Sequence, residues 1–228
     1  MGRRPGDSGG AVVTAQRTPE SQQLMAEILN AATQLFREKG FLGTTTQELA
    51  DAVGLVKGTL YYHIGSKEEL LYRIHEQVTE EGITRWQAIT DAAGDLPAPE
   101  VLRRMIVEHC LIIDEYRDWV AVISDEMKYL SGDLRDRVRE KRAAYQSLFE
   151  EAIRRGVKRG ELVTDDPHLT ALVTLGMLNA MHRWYSPGGR LTPECIGEIM
   201  TSIFLDGIEP ERAQRHRSGD AVRRARRA

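Results

Sequence analysis

A chain of 228 residues with 41% hydrophobic residues, 29% charged residues and a formal net charge of −3 has the balance of an ordinary folded protein. It is long enough for one large domain or two small ones, with ample core in either case. No apolar run reaches the roughly eighteen residues of a membrane span, and the opening MGRRPGDSGGAVVTAQRTPES holds no apolar stretch of signal-peptide length, so no membrane partner is expected and the cytoplasm is.

Residues 1–19 are rich in Gly, Arg and Ser without apolar periodicity and read as a disordered arm, whose Arg3, Arg4 and Arg17 are solvated or reach a DNA minor groove as flexible arms do. Leu24, Ile28, Leu35 and Phe36 then recur at helical spacing, which predicts a helix from Ser21 to Lys39 closed by Gly40. The stretch TTTQELADAVGLVKGTLYYHIGSKEEL, Thr44 to Leu70, reads as helix, turn, short helix, turn and helix start. Thr45 and Glu48 have the spacing of a capping box, Leu49, Ala50 and Val53 share an inner face, and Gly54 supplies the turn. A second short helix is predicted from about Lys57 to His63, and Ser66 with Glu69 repeats the Ser-x-x-Glu cap for a third. The short helix carries Lys57, Thr59, Tyr61, Tyr62 and His63, too many polar groups to bury, over an apolar back of Leu60 and Ile64. A recognition helix needs this division, an apolar back to hold it and a polar front for base edges and phosphates in a major groove; the alternative is a solvated helix of a bundle.

Charge is not generous here. From Glu20 to Tyr72 stand Arg37, Lys39, Lys57 and Lys67 against Glu20, Glu27, Glu38, Glu48, Asp51, Glu68 and Glu69. Lys57 and Lys67 flank the short helix, however, so one face still favours phosphate, with helix N-termini and hydroxyls supplying the remaining contacts.

The helix begun at Ser66 continues through Tyr72, Ile74, Val78, Ile83 and Trp86 to about Ala92, roughly 40 Å at 1.5 Å per residue and long enough to carry a tilt from one domain to the other. Gly94 to Glu100 is a loop, with Pro99 starting the next helix. From there to Gly207 every periodic segment is helical. His109 lies on a face with Leu102, Met105, Ile106, Ile112, Ile113 and Tyr116; Trp119, Val122, Ile123, Met127 and Leu130 follow a break near Arg117. Leu134, Val138, Tyr145, Leu148, Phe149 and Ala152 stripe a long charged helix, Asp166-Pro167 opens a helix through Trp184, and Thr192-Pro193 opens the last. Residues 209–228 are a basic, disordered tail. Cys110 and Cys195 lack a Cys or His partner at zinc spacing; both read as buried thiols, with no metal or cofactor expected.

The last two helices are strongly apolar, and Gly176 and Ala180, four residues apart, form a flat strip that admits another helix. With Trp184, Ile199 and Ile203 they are the candidate interface of a homodimer, the alternative being intrachain core; a protein reading two half-sites by helix-turn-helix works as a dimer. His109, Asn179, His182 and Arg183 set polar groups among apolar ones and, with Trp119 and Tyr145, are the candidate lining of a small-molecule pocket.

The run AATQLFREKGFLGTTTQELADAVGLVKGTLYYHIGSKEELL, Ala31 to Leu71, resembles the DNA-binding domain of TetR-type repressors, through Phe36, Gly40, Thr45, Ala50, Gly54, Gly58, Leu60, Tyr61, His63, Lys67 and Leu70. The resemblance implies an all-α protein of about nine helices, with residues 20–72 a helix-turn-helix domain and residues 73–208 a ligand-binding and dimerisation domain. It further implies phosphate contacts from Thr45, Thr46, Tyr61, Tyr62 and Lys67, and positions at or near the bases for Gln47, Lys57, Gly58, Thr59 and His63. Val56 departs from the pattern, standing where a capping Ser or Thr is usual, and Ile64 replaces the usual Phe. The segments SDEMKYL from Ser124 and Arg183 to Ile208 resemble the body of regulators of fatty-acid and sterol-derived catabolism, which implies an acyl-coenzyme A effector. The expectation is a repressor released from a palindromic operator by that effector, with a helical adaptor module as the alternative. An enzyme is not expected, since no nucleophile elbow, paired phosphate-binding glycines or metal-ligand cluster occurs.

Overall fold

The computed structural model describes residues 19–208, so the expectations for the N-terminal arm, its Arg3, Arg4 and Arg17, and the basic tail lie outside the described residues. Among those residues the chain is all α-helix, apart from one 3-10 turn: α1 (Pro19–Gly43), α2 (Thr46–Ala52), α3 (Lys57–Ile64), α4 (Lys67–Asp91), α5 (Ala98–Glu115), α6 (Arg117–Glu126), the turn Met127–Tyr129, α7 (Gly132–Lys158), α8 (Pro167–Asn179), α9 (Met181–Trp184) and α10 (Pro193–Ile208).

Local chemistry sets the head. Gly40 leaves the helical region at φ 74°, so the regular part of α1 ends there although Phe41 to Gly43 continue in helical form. Thr45 accepts from the Glu48 N–H at 3.2 Å while the Glu48 carboxylate accepts from the Thr45 N–H at 2.8 Å, a complete capping box at the start of α2. Gly54, at φ 67°, turns the chain between α2 and α3 where a Cβ would be strained. Val56 offers α3 no side-chain cap, whereas Ser66 accepts from Glu69 N–H at 3.0 Å and starts α4.

Two cores result, and α4 runs through both. The head core gathers Ile28, Phe36, Phe41, Leu49, Leu60, Ile64, Leu70 and Ile74, and it also takes in Val122, Leu130 and Val138 from α6, the residue after the 3-10 turn, and the start of α7. The body core is built on Trp86, Leu102, Met105, Ile106, Phe149, Ile153, Leu178 and Phe204. Arg85 on α4 ties the two long helices by pairing with Glu81 at 2.6 Å and, on α5, with Glu108 at 3.1 Å and Glu115 at 2.6 Å. Glu161, beyond α7, accepts from the Ala98 N–H at 2.7 Å and so caps α5, whose own cap position is Pro97. Gly197 lets α10 lie directly on α5: a Cβ there would stand 2.8 Å from Val107 Cα.

Two expectations change. The helix expected from Pro167 through Trp184 is interrupted at Ala180, where His182 Nδ1 stands 2.5 Å from the Asn179 carbonyl oxygen and takes a helix-end acceptor. Cys110 is buried, but Cys195 is exposed on the first turn of α10, because position 195 faces away from α5 while Ile196 faces inward.

Candidate nucleic-acid interface and effector cavity

Leu60 and Ile64 are fully buried beneath α3, and this anchoring turns the rest of the helix outward. Lys57, Gly58 and Thr59 are exposed, Tyr62 is 87% exposed, and His63 is half-buried with its ring edge-on to Tyr62 at 5.4 Å. Tyr61 donates to Thr46 Oγ1 at 3.3 Å, joining the recognition-type helix to the first residue of α2. Of the residues expected to meet DNA, Thr45 caps α2, Lys67 opens α4 and the others lie on α2 and α3, and several are already engaged. Thr45 is held by the capping box, and Gln47 donates to Asp51 at 2.8 Å. Lys67 differs most from its expected role as a free phosphate contact. Its Nζ donates to the carbonyl oxygens of Phe41 at 2.7 Å and Thr44 at 2.9 Å and sits 4.3 Å from the centroid of the Phe41 ring, so it fastens the α1–α2 junction, with one of three protons left over.

In the body a cavity of about 420 Å³ lies among α4, α5, α6, α7, α8 and α9. Val78, Ile112, Ile113, Val120, Ile123, Leu172 and Leu175 give it apolar walls, and His75, Thr79, His109, Ser124, Arg142, Tyr145, Gln146, Asn179 and His182 add polar groups. Gly82 allows Tyr145 to approach α4, a Cβ there falling 2.8 Å from the ring. Tyr145 then stacks on the buried Trp86 at 4.0 Å, and its hydroxyl lies 2.8 Å from His109 Nδ1. Burial pushes His109 down to about 4, with the Asn179 side chain opposing the shift, and it pushes His75 down to about 4 with the positive Arg142 and Lys141 adding to it. Both imidazoles are therefore neutral near pH 7. His75 Nδ1 is buried without a hydrogen-bond partner, and His109 Nε2 meets only the Asn179 side chain, in a geometry short of a full hydrogen bond.

Residues 28–74 match the model of the bacterial regulatory proteins of the tetR family, and residues 95–208 match the tetracyclin repressor-like C-terminal domain. The chain belongs to the TetR family. The transcriptional repressor KstR2 of Rhodococcus jostii is 30% identical over 184 residues, 80% of this chain and 89% of the relative. Among solved structures, the ketosteroid transcriptional regulator KstR2 of Mycobacterium tuberculosis aligns with a TM-score of 0.71 at 26% identity, covering 81% of this chain and 94% of that one. AibR, solved in complex with isovaleryl coenzyme A and operator DNA, aligns at 0.69 with 29% identity, covering 80% and 98%. The protein is a TetR-type transcriptional repressor and not an enzyme.

For a TetR body, the cavity corrects the expected pocket at two positions. His109, Tyr145, Asn179 and His182 line it, but Trp119 packs against the head core with its ring edge-on to Tyr116 at 6.0 Å, and Arg183 is exposed outside the lining. His75 and Arg142 were not among the expected lining residues, although both share a helical stripe with core residues: the buried His75 with Leu71, Val78, Gly82 and Trp86 on α4, and the exposed Arg142 with Val138, Tyr145, Phe149 and Ala152 on α7. A polar residue at stripe spacing with apolar ones was the available signal. The expected interface residues Gly176, Ala180, Trp184, Ile199 and Ile203 are all exposed, with Ile203 at 61%. Leu169, Leu172 and Val173 on α8 extend the same apolar exposure, and a Cβ on Gly176 would meet nothing within 4 Å. Among the described residues no helix is long and apolar enough to cross a membrane.

Proposed function

We propose that the protein is a cytoplasmic homodimer whose two α3 helices read a palindromic operator and which an acyl-coenzyme A thioester releases. The observation that carries the effector class is the mainly apolar cavity among α4 to α9, with polar groups set into its walls, in a chain that resembles AibR, itself solved with isovaleryl coenzyme A and operator DNA. Apolar walls suit an acyl chain; the unpartnered imidazole nitrogen of His75, and His109 with Asn179, suit the oxygen atoms of a thioester or of a substituted acyl group. Lys57, Gly58, Thr59 and His63, with Gln47, face the bases, and Thr45, Thr46, Tyr61, Tyr62 and the last proton of Lys67 face the phosphates, which carry most of the affinity and little of the sequence information.

The dimer is built from α8, α9 and α10. Leu169, Val173, Gly176, Ala180 and Trp184 leave an exposed, largely apolar strip along α8 and α9, Ile199 and Ile203 are exposed apolar residues on α10, and the absence of a Cβ on Gly176 permits close helix approach. Calorimetric titration of the purified protein with a series of acyl-coenzyme A esters tests the effector class. Saturable binding of one chain length or shape is expected, and heat from none of them would remove the thioester while leaving a TetR repressor of another ligand.

A further inference from the structure

Beside the cavity lies a second hollow that no role assigned so far uses. A groove of about 330 Å³ runs between the end of α6, the 3-10 turn and the first half of α7, and it shares Ile123, Ser124 and Arg142 with the lining of the effector cavity. Lys128, Arg135, Arg139 and Arg142 line it, and no carboxylate does. Among the described residues Arg135 and Arg142 form no ion pair, and Lys128 is engaged only with the ring of Tyr129, 5.2 Å from its centroid. Arg139 pairs with Asp136 at 2.9 Å, but both side chains are mostly exposed, so the pair is weak and a phosphate can displace it. In a protein with more acidic than basic residues, four cations around one groove, of which only Arg139 has a carboxylate partner and that an exposed one, form an anion site.

We propose that this groove seats the phosphorylated nucleotide head of a coenzyme A thioester whose acyl chain lies in the adjoining cavity. The proposal rests on the acyl-coenzyme A reading above and adds to it where the head lies: on α7 and the 3-10 turn, not at Arg183, which stands outside the cavity. Arginine forks and a lysine ammonium suit the several phosphate oxygens of such a head, and Ser124 and Arg142, common to both hollows, mark where the linking arm passes. The groove also borders the head core, since Leu130 and Val138 line it while packing with the residues beneath α2 and α3. An occupant therefore touches the segment on which the DNA-binding head rests.

The test uses the full chain and two probes, octanoyl-coenzyme A or the best ester of the series and the matching S-acyl pantetheine, which keeps the thioester and lacks the phosphates. Arg135→Gln combined with Arg139→Gln changes two exposed side chains and should fold as the parent does, which a thermal melt checks. The parent is expected to bind the coenzyme A ester at least about tenfold more tightly than the pantetheine ester. The double variant should lose that advantage while binding the pantetheine ester as the parent does. Equal affinity of the parent for the two probes, or an advantage that survives in the variant, overturns the groove assignment and leaves the thioester reading intact. A parent that binds neither probe overturns both.

Discussion

Lys57 and Lys67 flank the same short helix, yet the fold uses them differently, and substitution should separate the two roles. Lys57 is exposed at the first turn of α3, so Lys57→Ala is expected to change the preferred operator sequence without moving the melting temperature. Lys67 holds two carbonyl oxygens at the α1–α2 junction, so Lys67→Ala should cost about 2 kcal/mol of stability and weaken all DNA sequences together. A thermal melt beside electrophoretic shifts on selected and scrambled duplexes reads both effects; a Lys67→Ala protein that melts like the parent would refute the structural role. His109 makes a second residue-scale prediction. Its folded-state value of about 4 lies below the ordinary 6.5, so between these values the unfolded chain binds the extra proton. The stability it contributes is full above about pH 6.5 and is lost as pH falls toward 4, on the order of 3 kcal/mol across the whole window. His109→Gln should flatten the fall in melting temperature between about pH 7 and pH 5, and an unchanged pH profile would contradict the burial argument. His109 was legible as a polar residue on an apolar stripe. Trp119 was not, because a stripe says which face turns inward and not which of two cores it joins.

At the scale of the element, helix starts were the most legible features, since Thr45, Ser66 and Asp166 are caps whose side chains accept the predicted backbone N–H groups. The one start that breaks the rule offers a test. Val56 is extended at φ −76° and ψ 147°, a geometry that suits a cap, and is 73% exposed with no side-chain bond to make. Val56→Ser is expected to stabilise the protein by about 0.5–1 kcal/mol, read as a higher denaturation midpoint at unchanged slope. No gain would mean that the free N–H groups of α3 are already satisfied by solvent at no cost. Helix ends were less legible. The interruption at Ala180, beside the contact of His182 Nδ1 with the Asn179 carbonyl oxygen, has no periodic signature. The groove beside α7 was hidden for a related reason: its cations come from the 3-10 turn and from a helix so rich in charge that each Arg reads as solvated until the fold puts four around one hollow.

For the whole molecule, the head and body were separable in the sequence at about residue 72, but the packing joins them more closely than that boundary implies. α4 is buried in both cores, and the head core includes Val122, Leu130 and Val138 from the far side of the chain. A ligand held by α6 and α7 therefore bears on the surface that positions α2 and α3, which gives a two-shape repressor a physical linkage. The dimer is tested by placing charge on the exposed apolar face. Val173→Glu or Ile203→Glu would bury an unpaired carboxylate at the interface and should give monomers that no longer hold palindromic DNA, while an unchanged mass by light scattering would move the interface elsewhere. The central claim, that effector and operator select different shapes of one protein, is tested most directly by measuring both affinities on the same preparation. Fluorescence anisotropy of a labelled operator should show its affinity falling, roughly 5- to 150-fold, at saturating acyl-coenzyme A, and calorimetry should show operator weakening the thioester by the same factor. An operator affinity that does not change when a bound thioester saturates the protein would contradict it.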